Sequence, residues 1–197
     1  MGALRSLVRN ESRTMKGLWL YLRGRKDGVT EDTVAVPYGS DGKPIFIVLA
    51  VVSAFEAGLF WLLDFGLVVD LLLLVLGVYS ALLVFGVYAG TVVRPHVISS
   101  SEVRVRYSSF YDLRIPRENI VGLRHSKESH DPAKAKAFRD GTWLSHDNSY
   151  ETNLVAELRE PITVTRPLGK TETVRVVKFT ADDPKAAVEA YERLAVS

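Results

Sequence analysis

From Ile45 to Val93 the chain is apolar at almost every position, and only Glu56, Asp64 and Asp70 carry charge. Neither the 3.6-residue period of a surface helix nor the two-residue period of a half-buried strand organises this block. A hydrocarbon core roughly 30 Å thick takes about 20 helical residues per crossing. The block is too long for one crossing and fits two, Pro44 to Leu63 and Leu67 to about Val93, reversing at Asp64-Phe65-Gly66. The pattern predicts a transmembrane helical hairpin over residues 44–93, flanked by polar segments 1–43 and 94–197.

The first flank has helical periodicity. Leu4, Leu7, Val8, Met15, Leu18, Trp19 and Leu22 recur three or four residues apart, with Arg5, Arg9, Arg13, Lys16 and Arg23 between them. This is a basic amphipathic helix with an aromatic anchor, Trp19. Two placements are open: in the inner headgroup layer, or packed on the chain's own soluble part. Gly24 and Gly28 end the helix, and Thr30 to Gly42 reads as a polar loop.

After His96 the period becomes two. Val103, Val105 and Tyr107 alternate with Arg104 and Arg106, and Tyr111, Leu113 and Ile115 with Asp112 and Arg114. With His96–Ile98, Ile120–His125, Leu154–Leu158, Ile162–Arg166 and Val174–Phe179 this makes seven short strands. Asp183-Pro184 then opens a helix whose apolar face is Ala187, Val188, Tyr191 and Leu194. The fold class expected is a membrane hairpin followed by an α+β domain, an antiparallel sheet system closed by one C-terminal helix.

Seven strands and a capping helix resemble the pleckstrin-homology-like (PH-like) barrel. The run Val97-Ile-Ser-Ser-Ser-Glu-Val-Arg-Val-Arg through Leu113-Arg-Ile-Pro-Arg-Glu-Asn-Ile-Val-Gly-Leu is similar to the opening of bacterial PH-like domains. Those domains commonly follow one or two membrane helices in small bacterial membrane proteins. The likeness covers residues 96–127 and 153–195, and Lys127 to Tyr150 departs from it as a long polar insertion. The resemblance implies a seven-stranded antiparallel barrel in the bacterial inner membrane that binds or assembles rather than catalyses. Since phosphoinositides bind such domains through bases in the first hairpin, it also makes Arg104 and Arg106, with Arg94, candidates for contact with lipid or a partner.

Charge adds an orientation. The formal net charge is only +2, too small to argue for nucleic acid. Arg23, Arg25, Lys26 and Lys43 precede the hairpin and Arg94 follows it, while its outer turn carries only Asp64. Excess Lys and Arg stays cytoplasmic, so both termini are expected there. The first long apolar run begins too late for a cleavable signal. With no cysteine, disulfides, thiolate metal sites and cysteine nucleophiles are excluded.

Within the hairpin, Asp64 and Asp70 lie where carboxylates complement a helix N-terminus. Glu56 lies about 12 Å inside its helix, where an ionised carboxylate is costly. Three readings are open for it: contact in an assembly, a tolerated neutral acid bonded to Ser53, or a transport role. Ala50, Ser53, Ala54 and Ala57 form a strip of small side chains that a fold-back places against Gly77, Ser80 and Ala81, allowing close approach. Gly86-Val-Tyr-Ala-Gly90 is a further small-xxx-small motif that could pair subunits.

His125, His130, Asp131, His146 and Asp147 match no ligand spacing, so no metal or other cofactor is expected. Lys134, Lys136 and Arg139 read as a solvated basic segment. Trp143, Leu144 and Tyr150 predict that the insertion docks, with its own domain favoured over a partner. No nucleophile elbow, phosphate-binding glycine loop or HExxH occurs. The expectation is a non-enzymatic membrane protein whose partners are lipid and either another protein or a second copy, with no small-molecule substrate. The alternatives are an inner-leaflet anionic-lipid sensor and an oligomeric transport component using Glu56.

Overall fold

The computed structural model describes residues 2–40, 43–63, 65–130, 138–139, 141–144, 151–165 and 171–195. Of residues 2–11, 61, 138–139, 144 and 165 it describes the backbone alone. Asp64, Asp131, Lys134, Lys136, His146, Asp147 and Tyr150 therefore lie outside the described residues, as do the side chains of Leu4, Arg5, Leu7, Val8, Arg9, Arg139 and Leu144.

The apolar block forms two helices, α2 (Lys43–Leu63) and α3 (Leu67–Val93), both long and apolar enough to cross a bilayer. Their stretches have mean hydropathies of 1.8 and 2.6. Among the described residues none is buried from Lys43 to Leu63 or from Leu67 to Phe85. The core helix of a water-soluble domain is mostly covered; these two are not.

α3 is the longer of the pair, and its surplus is at the base of the hairpin. Its buried residues are Gly86, Ala89, Gly90, Thr91 and Val93. α1 (Gly2–Leu22) packs there, with Gly17 against Gly90 and Thr14 against Gly86. A Cβ built on Gly86 would lie 2.5 Å from Thr14 Cγ2, so the missing side chain is what admits α1. The motif expected to pair subunits is thus occupied within the chain. Tyr21, Phe85, Tyr88 and Phe46 close the same level with ring centroids 5.2–6.2 Å apart, joining all three helices.

The polar part is α+β, but it is not a seven-stranded barrel. Among the described residues, nine strands form two open sheets. The first is antiparallel, ordered β1 (Val34–Val36), β2 (His96–Ile98), β3 (Glu102–Tyr107), β4 (Tyr111–Pro116). The second is ordered β5 (Ile120–Ser129), β8 (Glu151–Thr165), β9 (Thr171–Phe179), β7 (Thr142–Leu144), β6 (Phe138–Arg139), with β7 parallel to β9.

Three differences from the sequence reading account for the change. Thr30 to Gly42 is not all loop, because Val34–Val36 pairs antiparallel with β2. Part of the insertion becomes strand, and Trp143, 4% exposed, enters the core edge-on to Tyr111. The two strands expected around residues 154–166 are one strand, β8. Its register against β9 shifts between Glu157 and Ile162, where Pro161 supplies no N–H to a ladder and Asn119 brackets the backbone of Glu160. Pro167-Leu-Gly-Lys170, whose sequence suits a hairpin turn, lies outside the described residues.

Apolar faces of both sheets meet in one core that includes Val103, Val105, Ile115, Leu154, Val177 and Phe179. α4 (Pro184–Arg193) covers it through Ala187, and Asp183 caps the helix by accepting the Ala186 N–H at 3.0 Å. The guanidinium of Arg117 stacks 4.0 Å over Tyr191 and donates to that residue's carbonyl.

The β3–β4 turn carries the sheets onto the helices. Ser108 adopts φ 45° there and donates from Oγ to the Val87 carbonyl at 2.8 Å. A Cβ on Gly90 would stand 2.2 Å from that Oγ and 3.2 Å from Ser108 Cβ, so the turn seats only against a glycine. At Gly77, by contrast, a Cβ meets nothing within 4 Å, so the expected close approach between small residues is at the base and not at mid-helix. Gly90→Ala should therefore destabilise the full-length protein by about 1–3 kcal/mol, as overpacking does, while Gly77→Ala leaves it unchanged. Thermal unfolding of both variants in mild detergent measures this; equal midpoints would show that the glycine contact does not hold the sheets to α3.

Candidate functional site at the junction of helices and sheets

The residues expected to meet lipid or a partner, Arg94, Arg104 and Arg106, come together at this junction and point inward. Arg106 is 1% exposed. Alternation along β3 does predict which residues share a face. What it misses is that the segment from Asp27 to Ser40 covers the face carrying the arginines.

Each guanidinium is held by an acid, Arg104 and Arg106 by one across the β3–β4 hairpin and Arg94 by one 67 residues earlier in the chain. Arg106 Nε is 3.3 Å from Asp112 Oδ1, and its Nη1 donates to the Asp27 carbonyl at 2.7 Å. Arg104 grips the same Asp112 with a second pair of bonds, Nε to Oδ1 at 3.2 Å and Nη2 to Oδ2. Arg94 Nη2 stands 3.1 Å from Asp27 Oδ2, and Asp27's own N–H donates to the Val93 carbonyl at 2.7 Å. Asp27 thus fastens the chain after α1 to the end of α3, and Asp112 fastens β4 to β3.

Gly28 closes the cluster with φ +67°, and a Cβ there would come 2.9 Å from Arg106 Nη2 and 3.0 Å from Arg104 Nη1. The carboxyl of Asp112 would be raised by its burial. The hydrogen bond from Arg104 and the charge of Arg106 outweigh that and hold it below the usual carboxylate range.

His96 is the second centre. Its ring is buried, stacked on Tyr38 at 4.4 Å and edge-on to Phe179 at 5.1 Å. Nδ1 accepts the Arg106 backbone N–H at 2.9 Å, so Nε2 carries the proton and donates to the Thr180 carbonyl at 2.9 Å. One neutral imidazole joins β2, β3 and the end of β9. Burial pushes its pKa down to about 3; the bond to Thr180 opposes this and the charge of Arg106 adds to it. Tyr38 completes the lacing by accepting the Ser108 N–H at 2.8 Å, and burial raises its phenol. Neither group was singled out in the sequence. A histidine at the start of a strand, immediately after a helix and a proline, was the available signal.

The ionisable groups of this site face one another across the junction. Among the described residues no cluster of His, Asp and Glu could hold a metal ion. His130 instead bonds Thr152 Oγ1 at 2.9 Å.

The other predicted site residues fall into two clefts beside the α2–α3 seam. One, of about 220 Å³, is lined by Ser53, Glu56, Ala57, Asp70, Gly77 and Ser80 among others. The other, of about 240 Å³, is lined by Ala50, Ser53, Ala54, Ala57, Gly77 and Ala81 among others. Glu56 shares its cleft with Ser53, one of its expected partners, and also with Asp70 and Ser80. Asp70 Oδ1 also accepts the Phe65 N–H at 3.2 Å at the start of α3, as its place near a helix N-terminus suggested. Trp19 is half exposed on α1, with the Arg23 guanidinium 3.8 Å over its ring. Compared with protein-family models, curated proteins and solved structures, the chain matches none.

The junction sets a pH dependence. His96 is depressed in the folded state, so the unfolded chain binds more protons once pH drops below the ordinary histidine value of about 6.5. Stability should be complete above that value and fall progressively as pH drops towards 3; Asp112 adds loss of the same sign only in the carboxylate range. Thermal midpoints of the full-length protein from pH 7.5 to 4, read through Trp143 in the core, test this. His96→Leu should have a lower midpoint at pH 7.5 and a flatter slope between pH 6.5 and 4.5, and an unchanged slope would remove His96 as its source.

Proposed function

We propose that this is an integral membrane protein without catalysis of its own, whose two-sheet domain binds protein and supports assembly of a membrane complex. The observation that carries the reading is the exposure of α2 and of α3 as far as Phe85. These apolar surfaces are covered by no other described part of the chain and match a bilayer in length. α1 and the sheets attach at the same end of the hairpin, which fits both termini being cytoplasmic, as the charge bias favours. The pattern shared with PH-like domains points to a binding module. β4 and β5 are end strands in their sheets, and edges of this kind accept an added strand from a partner.

Specific lipid recognition by Arg94, Arg104 and Arg106 is the weaker reading, because Asp27 and Asp112 engage those guanidiniums inside the junction. Crosslinking of the full-length protein in its native membrane, followed by mass spectrometry, should recover a second protein in fixed stoichiometry with crosslinks to the sheets. Recovery of the chain alone with retained anionic lipid would replace assembly by lipid sensing.

A second reading is favoured by the cleft that Glu56 shares with Asp70, Ser53 and Ser80. If that cleft serves an oligomeric transport path, Glu56→Gln should abolish ion or proton flux in vesicles at unchanged folded yield. Flux equal to that of the parent protein would remove it.

A further inference from the structure

The outward face of α1 has no part in the packing of the junction. Thr14, Gly17 and Tyr21 turn towards α3. Met15, Trp19 and Leu22 follow one another at i, i+4 and i+7 on another face, and all are exposed, Leu22 by 76%. Arg23, Arg25 and Lys26 are exposed beside them, as is Lys16, whose Nζ also stands 3.6 Å from Asp27 Oδ1. Such a stripe in water is unfavourable, and its basic borders select what covers it.

The height of the stripe follows from α3. The uncovered part, Leu67 to Phe85, is about 28 Å long at 1.5 Å per residue, close to the thickness of a hydrocarbon core. Gly86 and Gly90, where α1 is seated, therefore fall at the edge of that core. Tyr21, Phe46, Phe85 and Tyr88 cluster at the same level, where aromatic rings concentrate at membrane–water boundaries.

We infer that α1 is an interfacial helix, and that what covers its outer stripe is the anionic leaflet at the base of the hairpin. Met15, Trp19 and Leu22 enter the boundary between headgroups and acyl chains, and Lys16, Arg23, Arg25 and Lys26 meet lipid phosphates. Two observations select lipid as the occupant. The stripe lies on a helix seated at Gly86 and Gly90, where the uncovered apolar stretch of α3 ends, and its basic borders complement an anionic surface. The basic contact with lipid thus belongs to the chain around α1, not to β3. This inference rests on the reading that the hairpin spans a membrane.

The parent chain has no cysteine, so single labels can be placed without background. Met15→Cys, Leu22→Cys, Leu72→Cys on α3 and Val121→Cys on β5 are spin-labelled in the full-length protein. The protein is then reconstituted in phosphatidylcholine vesicles with or without phosphatidylglycerol. Accessibility to oxygen relative to a water-soluble nickel chelate reports lipid contact. The expected result is a ratio at positions 15 and 22 several-fold above that at 121, approaching that at 72. It should rise with phosphatidylglycerol and fall in high salt or when Lys16, Arg23, Arg25 and Lys26 are all replaced by Gln.

Water-like values at 15 and 22 with a lipid-like value at 72 would overturn the inference and leave the membrane reading standing. A water-like value at 72 would overturn that reading itself. Protection of position 15 from both reagents, with spin–spin broadening, would assign the stripe to a second copy. Lipid contact indifferent to phosphatidylglycerol, salt and the four substitutions would overturn the assignment to anionic headgroups.

Discussion

The last two turns of α3 are the constraint on which the rest of the molecule depends. Two glycines one turn apart leave a flat patch of backbone at the end of α3. α1 crosses it at Gly86 and Gly90, and the β3–β4 turn reaches Gly90 through Ser108. A third contact, Thr14 Oγ1 with Ser109 Oγ at 2.9 Å, joins the two arrivals to each other. Without the patch, the helices and the sheets would be linked only by the short connection at Arg94 and Pro95 and by the segment that carries β1. With it, elements from three distant parts of the chain converge within a few ångströms.

Such convergence brings backbone and charge into a poorly solvated space, where the junction pairs most groups but, among the described residues, leaves Arg94 Nε and Arg106 Nη2 buried without a hydrogen-bond partner. Arginine suits it because one planar guanidinium serves several acceptors at fixed angles. Arg106 bonds a carboxylate and a carbonyl from segments 85 residues apart, Asp27 and Asp112. Removing one partner from such a pair leaves a buried charge, which is far more destabilising than the pair is stabilising. His96 performs the same joining task without charge, since its two ring nitrogens act once as acceptor and once as donor. The junction therefore has one charged and one neutral fastening, and only the neutral one is sensitive to acid near pH 6.

The hairpin was legible because long apolar composition is a property of each residue and needs no partner. The opening of α4 at Asp183 and the faces of β3 were legible for the same reason: local pattern decides them. The fate of those faces was not. Arg104 and Arg106 alternate with valines as wet residues do, and nothing within β3 reveals that residues 27–40 come back to cover them. β1 was hidden because a three-residue strand in a polar stretch exists only through its pairing with β2. Closure into a barrel depends on long-range register, and β8 running through Pro161 as one strand gave two open sheets instead. The glycine motif could be read, but not its occupant, since a helix of the same chain and one of a second copy use the same physics.

This distinction bears on how the protein would work in an assembly. A domain on a free tether presents its surfaces in all orientations, and a partner must order the tether on binding. Here the sheets reach the hairpin through a hydrogen-bonded turn, an arginine cluster and a strand from the N-terminal side, so that cost is met during folding. The end strands β4 and β5 consequently hold one attitude relative to α2 and α3. A partner that touches the sheets and also enters the clefts beside the α2–α3 seam would find both surfaces already in register. Binding at the two together then gains the effective concentration of a rigid connection, which exceeds that of a flexible one whenever the geometry matches. A partner with a different spacing is rejected by the same rigidity. On this argument the glycine patch is what would give the assembly its selectivity.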